Sequence, residues 1–411
     1  MKDARRRPWF CCQIGAREHY AVARALHSAS SLAVGGLGGL ITESWVPPGH
    51  PLGWKLSLRE RYHSALANAP VHTWNYATLA FELAARARGL SGWPLMLQRN
   101  QWFQQRALRV LAEHAEQLSR EAEVRPALFA YSYAARELLR FGKQRGWLAV
   151  LGQIDPGPVM EQRAKTLVEQ YGAGAKAMNA IPKEYWDSWR EECALADCIV
   201  VNSQWSQDAL VSTGIPLKKI TVIPLAFTPS PAATQFERQY PASFTKERPL
   251  RVLLLGQVTL LKGILPLLAA AQLLANKPVE FLIVGARHVD LPQQLLNHPQ
   301  IKWIGAVPRS ETASYYRQAD VFVFPSFSDG FGLTQLEAQA WKLPVIASRF
   351  CGDVVQDGVN GLLLNELTGE AIADILLDLR RNPRKLRDMS AHSGVADKFS
   401  LNSVGSSLFN L

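Results

Sequence analysis

Short apolar runs alternate with longer amphipathic stretches along almost the whole chain. An apolar run bounded by turn formers predicts a strand buried on both faces, and helical periodicity between such runs predicts a helix packed over it. The expected strands in the first half are Trp9–Ile14, Leu40–Trp45, Leu128–Tyr131, Trp147–Leu151, Cys198–Asn202 and Thr221–Pro224. In the second half they are Arg251–Leu255, Val279–Val284, Ile301–Trp303, Val321–Pro325 and Pro344–Ala347. Helical periodicity is clear over Glu18–Ser28, Arg106–Glu123, Ala134–Gln144, Ile264–Leu274 and Ala371–Arg381. This order is the βαβ pattern of parallel sheets flanked by helices, so the fold class is α/β.

The stretch from Thr228 to Pro249 is rich in Pro, Ala and Thr and reads as an interdomain linker. With 411 residues, the chain divides into a first domain over 1–228, a linker over 229–248, a second domain over 249–395 and a tail over 396–411 expected to pack back on the first domain. A flexible linker beside a polar cleft leads to an expectation of domain closure on ligand binding. The segment Asn100–Glu123, with Trp102, Phe103, Arg106 and Arg109, reads as a surface helix. The run Gly35–Leu40 (GGLGGL) lacks the GxGxxG spacing and precedes a strand, so it reads as a loop and gives little support to a nicotinamide site.

Composition narrows the function. The apolar fraction of 48% suits packed cores, and the formal net charge of +10 favours anionic partners such as nucleotides, phosphorylated sugars or a membrane surface. Cys11, Cys12, Cys193, Cys198 and Cys351 form no CxxC pair, and the nine histidines form no HxxxH or HExxH group, so neither a disulfide framework nor a metal site is expected. No apolar run is long enough for a transmembrane helix. The basic start, Arg5, Arg6 and Arg7, is a candidate for contact with anionic lipid, and a cytoplasmic location, including the inner membrane face, is expected.

Four stretches carry candidate chemistry. In the first, strand Val321–Pro325 runs into a loop with Gly330 and Gly332, and a helix is predicted to start near Leu333. Free N–H groups at such a start favour phosphate, and the glycines permit close backbone approach. Asp329 in the loop and Glu337 about one turn into the helix, eight positions apart, are placed to bond hydroxyls beyond the phosphate. In the second, LLLGQVTLLKGI, a strand ends at Gly256 and Lys262 precedes a helix. A cation at a helix start is unfavourable unless an anion binds there, so Lys262 is a candidate to neutralise a leaving phosphate. In the third, QIGAREHY, Gly15 turns the chain into a helix and Arg17 is placed to meet phosphate or an acceptor. In the fourth, Asp155 follows the strand Trp147–Leu151, as a turn residue before proline or a group assisting proton transfer.

Together these stretches resemble the retaining glycosyltransferases of family four, the group-one family, over nearly the whole chain. DGFGLTQLEAQAWKLPVIAS is similar to that family's E-x7-E motif and the strand after it, and CGDVVQDGVNGLLL to its usual continuation. GQVTLLKGI resembles its Gly-Arg…Lys-Gly phosphate loop, with Gly256 and Gln257 at its head. ECALADCIVVNSQWSQDALVSTGIPLKKITVIPLAF resembles the end of its first domain, and QIGAREHYAVARALH the first-domain glycine loop.

The resemblance implies the GT-B fold, two Rossmann-like domains facing a central cleft. It also implies a nucleoside-diphosphate sugar as donor and a glycan, lipid-linked or small-molecule acceptor, with no cofactor, no metal and no nucleic acid. By it, Glu337 holds the ribose, Asp329 and the amides of Gly330, Phe331 and Gly332 contact the transferred sugar, amides near Leu333 and Thr334 contact phosphate, and Lys262 stabilises the leaving diphosphate. The absence of a DxD triplet fits metal-independent transfer by fixed cations and helix dipoles.

Three positions depart from the pattern. Asp329 stands where glutamate is usual, Gln257 where an arginine often pairs with the lysine, and Gln153-Ile154-Asp155 where a histidine is common. They keep two alternatives open: a catalytically weak nucleotide-sugar-binding subunit of a glycan assembly complex, and a GT-B nucleotide-sugar epimerase.

Overall fold

The computed structural model describes residues 7–29, 36–54, 58, 60–118, 125–172 and 181–411. The first set of strands is β1 Trp9–Gln13, β2 Leu37–Thr42, β3 Val71–His72, β4 Ala127–Tyr131, β5 Leu148–Gly152, β6 Cys198–Val201 and β7 Ile220–Val222. They form one sheet in the order β3-β2-β1-β4-β5-β6-β7, parallel at every pairing. The second set is β8 Leu250–Leu255, β9 Val279–Val284, β10 Ile301–Gly305, β11 Val321–Phe324, β12 Val345–Ala347 and β13 Gly361–Leu363. It forms a second parallel sheet, ordered β10-β9-β8-β11-β12-β13. Strand order reverses between β1 and β4 and again between β8 and β11. In doubly wound sheets the crevice outside the carboxyl ends of such strands is where ligands bind.

The central strands are apolar on both faces because helices cover both sides: β4 and β11 are buried throughout. Helix Gly92–Leu118 buries Phe103, Ala107, Val110 and Leu111 in the same core as Phe10, Ile41, Leu128 and Leu138. It is thus a surface helix, as expected, whose inner face covers the sheet; residues 119–123 of that expectation lie outside the described residues, as do Arg5 and Arg6. The GGLGGL run is also not a loop where it is described, since Leu37–Leu40 belong to β2. Its glycines make room for aromatic neighbours: a Cβ on Gly39 would lie 3.3 Å from Phe10 and 3.5 Å from His72.

The helix expected from Glu18 begins at Ala21 instead. Glu18, His19 and Tyr20 take left-handed φ of 50°, 53° and 60°, a conformation that costs L-residues roughly 1–2 kcal/mol each. Between Thr228 and Pro249 the chain is bound to the second domain and does not hang free. The Arg238 guanidinium donates to the carbonyls of Tyr316 (2.7 Å), Trp341 (2.9 Å), Lys342 (3.1 Å) and Ala319. The Tyr240 hydroxyl donates to the Asp320 carbonyl at 3.0 Å, and both arms of Arg248 reach the Asp320 carboxylate at 2.7 Å.

The chain crosses between domains near Phe227 and Phe399, whose backbones are bonded to each other at 2.8 Å. Helix Leu401–Phe409 lies on the first domain, with Phe409 edge-on to Trp9 at 6.2 Å between ring centroids. Among the described residues no helix is long and apolar enough to cross a membrane, and all five cysteines are free thiols.

The domains meet through polar groups of the first and the loop after β11. Ser203 and Ser206 hydroxyls donate to the Gly330 carbonyl at 2.7 and 3.3 Å. Arg163 donates to the Phe327 carbonyl at 2.8 Å and lies over the rings of Phe350 (3.9 Å) and Trp205 (4.4 Å). A Cβ on Gly330 would lie 2.3 Å from the Ile154 carbonyl oxygen and 3.1 Å from Asn202 Nδ2. The obstacle is backbone of the opposite domain, so it cannot rotate away. Gly330→Ala should therefore part the domains: a larger radius of gyration in solution scattering and a lower thermal midpoint are expected. An unchanged scattering profile would show that this close approach does not exist in solution.

Candidate functional site

The second domain builds its half of the cleft where β8 and β11 lie side by side. At the end of β8, the Gly256 N–H donates to the Val284 carbonyl at 2.9 Å. The loop then turns through Thr259, whose carbonyl takes the Lys262 N–H at 3.2 Å, into helix Ile264–Leu273. Gly263 opens that helix with φ 72°, and a Cβ there would lie 1.9 Å from the Pro325 carbonyl oxygen. The loop after β11 is bonded to it: Phe327 N–H and Ser326 Oγ donate to the Leu261 carbonyl at 2.7 and 3.0 Å, and Ser348 Oγ donates to the Ser326 carbonyl at 2.6 Å.

The loop ends at Gly332, φ 83°, which starts helix Leu333–Ala340 with no side-chain cap. Among the described residues no acceptor meets the N–H groups of Leu333 and Thr334. The Lys262 ammonium pairs with the Asp329 carboxylate beside this helix start and lies 5.2 Å from the Phe324 ring centroid. The other Asp329 oxygen receives the Phe331 N–H at 3.4 Å. One cation and free helix-terminal amides thus face one space, as an anion site requires.

That space is a solvent-open cleft of about 420 Å³ lined by both domains. The second domain contributes Gly256, Gln257, Lys262, Asp329, Phe331, Gly332, Leu333 and Thr334, and the first contributes Arg17, Glu18, Ile154, Asn202 and Leu225. Most residues named from the sequence therefore converge, and four do not line the cleft.

Gly330 turns its carbonyl to Ser203 and Ser206 and serves the domain contact. Gly15 (φ 79°) stands behind the cleft wall, its N–H held by Glu43 Oε2 at 2.7 Å, while the other Glu43 oxygen is paired with Arg61 at 2.7 Å. Asp155 does not line the cleft. Its Oδ1 accepts from the Tyr133 hydroxyl (2.6 Å), Gln153 Nε2 (3.1 Å) and the Gly157 N–H (2.8 Å), and burial raises its pKa. It pins the loop that presents Ile154. Tyr133 is held in turn at φ 76° by Glu192, which accepts the N–H groups of Tyr133, Ala135 and Arg136 and whose carboxyl burial pushes up to about 7.

Glu337, the fourth, is set back from the cleft lining. The Tyr316 hydroxyl donates to its Oε2 at 2.7 Å, and Arg309 lies 3.8 Å from its Oε1. The sequence reading missed Glu18, Asn202 and Leu225 in the lining and Arg309 and Tyr316 beside Glu337. Glu18 adjoins Arg17 and Asn202 follows β6, so the rule that ligands meet carboxyl ends of strands could have found both. Nothing in the sequence around Arg309 links it to Glu337.

Residues 249–382 match the family model described as Glycosyl transferases group 1. The chain is 31% identical over 222 residues to a D-inositol 3-phosphate glycosyltransferase of Thermobifida fusca, covering 48% of this chain and 50% of that one. It is 32% identical over 158 residues to the capsular polysaccharide biosynthesis glycosyltransferase CapM of Staphylococcus aureus, covering 35% and 41%. The chain thus spans about half the length of the curated relatives it matches. Among solved structures, Anabaena HepE in complex with UDP superposes with a TM-score of 0.58 at 15% identity, and a sucrose-phosphate synthase of Thermosynechococcus elongatus with 0.58 at 17%, each over 98% of both chains. The architecture these share with the chain is GT-B, two parallel-sheet domains about a cleft.

Burial raises the Glu337 carboxyl above the ordinary glutamate range, while the Tyr316 hydroxyl and the Arg309 charge lower it again. Removing a cation that favours the ionised form moves a carboxyl further up. Arg309→Ala should accordingly raise the Glu337 midpoint, read by NMR of carbon-labelled glutamate through the acidic range. A midpoint that stays in place would mean that Arg309 does not face Glu337.

Proposed function

From the premise that residues 249–382 form a glycosyl transferases group 1 domain, we propose that this protein is a retaining glycosyltransferase. It moves a sugar from a nucleoside-diphosphate sugar to a glycan, lipid-linked or small-molecule acceptor. The observation that carries this reading is the convergence of Lys262 with the unpartnered amides of Leu333 and Thr334 at the β8/β11 switch point. The HepE structures that share the fold hold UDP, or UDP-glucose, which supports a donor of that class.

In the proposed reaction the bond from the anomeric carbon to the diphosphate oxygen breaks, and charge builds on that oxygen. Lys262 and the helix N-terminus at Leu333 stabilise it in place, without reorganising at the moment of reaction. The acceptor hydroxyl attacks from the same face, its oxygen joins the anomeric carbon, and its proton passes to the leaving phosphate. Asp329, paired with Lys262, turns to the sugar hydroxyls as the diphosphate takes over the lysine. Arg17, which lines the same cleft, supplies from the first domain the second cation that Gln257 does not. Glu337, oriented by Tyr316, holds the vicinal ribose hydroxyls once Arg309 moves aside. Asp155 acts as a positioning residue for the acceptor-side loop.

A thermal-shift screen with uridine, guanosine, thymidine and adenosine diphosphate sugars should single out one donor class. With that donor, slow release of nucleoside diphosphate without acceptor is expected. Lys262→Ala and Glu337→Ala should each lower turnover by more than about tenfold, the usual cost of a lost charge-assisted contact. Donor binding without hydrolysis or transfer would mark a binding subunit instead, and interconversion of donor sugars would mark an epimerase.

A further inference from the structure

A second set of basic groups gathers on the far side of Glu337. The Arg309 guanidinium, from the loop after β10, meets the ring Nδ1 of His19 in the first domain at 2.6 Å. Arg24, one helical turn along from His19, is only 8% exposed. Its Nη1 lies 3.5 Å from the His19 carbonyl, its Nη2 donates to Thr228 Oγ1 at 3.1 Å, and its Nε has no partner. His63, from a third segment, lies near enough for its charge to bear on His19, and its Nδ1 accepts the Ala65 N–H at 3.1 Å.

The charges that bear on His19 are those of Arg309, Arg24 and His63, all of one sign, and those on His63 are Arg24 and Arg309. Burial and this repulsion push both imidazoles down to about 4. Among the described residues Glu337 is the one carboxylate paired with the set, through Arg309. The loop that carries His19 holds three successive residues in left-handed backbone, a cost that concentrates where function demands a particular geometry. At neutral pH the two imidazoles are therefore uncharged and the charge of the set rests on Arg24 and Arg309, of which Arg24 is buried with no carboxylate paired to it among the described residues, an arrangement that a bound anion relieves. The Arg309 guanidinium fork suits the tetrahedral oxygens of a phosphoryl group, and the Arg24 Nε is left without a partner.

We propose that His19, Arg24, His63 and Arg309 form a second anion site, at the junction of the domains and separate from the Lys262 site, that receives a phosphoryl group. Its source is either a phosphorylated small-molecule substrate or free phosphate. The first of these rests on the transferase reading, whereas the site itself does not.

The test is a calorimetric titration of the full chain with orthophosphate and with glucose 1-phosphate at neutral pH and low salt, which needs no turnover. Two classes of site are expected. Lys262→Ala should remove one. The double variant Arg309→Gln/His63→Gln should weaken the other by at least about tenfold, with Arg24 left intact because it is buried. A bound dianion favours imidazolium, so phosphate should also raise the NMR titration midpoints of His19 and His63. Tighter binding of glucose 1-phosphate than of orthophosphate at this site assigns it to a phosphorylated substrate, and equal binding assigns it to free phosphate. A single class of site, or phosphate affinity and histidine midpoints that do not respond, overturns the proposal even where sugar transfer is demonstrated. Loss of transfer with both sites intact would count against the transferase reading alone.

Discussion

The cleft depends on how closely two loops of the second domain approach each other. Gly263 fits against the Pro325 carbonyl only because it has no Cβ, and the Leu261 carbonyl is shared by Ser326 and Phe327. These contacts fix where Lys262 leaves the loop after β8 relative to where helix Leu333–Ala340 begins. A shift of an ångström between the loops would take the ammonium away from the helix amides. The parallel pairing of β8 with β11 is what makes so close an approach available, since both strands deliver their loops to the same edge.

Within that frame the Lys262–Asp329 pair acts as an internal counter-ion. An unpaired lysine at the starts of two helices would be repelled by both dipoles. Asp329 holds it there, and its second oxygen is tied to the Phe331 N–H. Exchange of one anionic partner for another keeps the lysine paired throughout, so the site can receive a diphosphate without a large desolvation cost on the lysine. The shorter aspartate side chain suits this arrangement, because it keeps the carboxylate close to the loop backbone.

The parallel sheets were legible because buried strands are written as continuous apolar runs. β3 and β13 were not, since Val71–His72 and Gly361–Leu363 are too short to show a period. Gly38 and Gly39 were misread because glycine signals a turn in isolation, and only the three-dimensional neighbours, Phe10 and His72, explain a flat strand there. Lys262, Asp329 and the helix start at Leu333 could be found because each lies just past a strand. The environment of Asp155 could not: its partners Tyr133 and Gln153 are ordinary polar residues until the fold turns them inward. The linker was read from composition, which cannot show that Arg238 would find five carbonyls of the second domain to hold it.

The way the domains meet ties the two halves of the cleft together. The loop that carries Asp329 is gripped from the first domain through the Gly330 carbonyl by Ser203 and Ser206, and through Phe327 by Arg163. Ile154, on the loop that Asp155 pins, sits against Gly330 and also lines the cleft. Movement of the first domain therefore cannot leave the second domain's anion site unchanged. The loop that carries Asp329 is tied in turn to the Lys262 loop through the Leu261 carbonyl, so strain at Gly330 reaches both. Occupancy on one side of the cleft and geometry on the other are linked through these contacts, the Gly330 approach among them, and such linkage works in both directions.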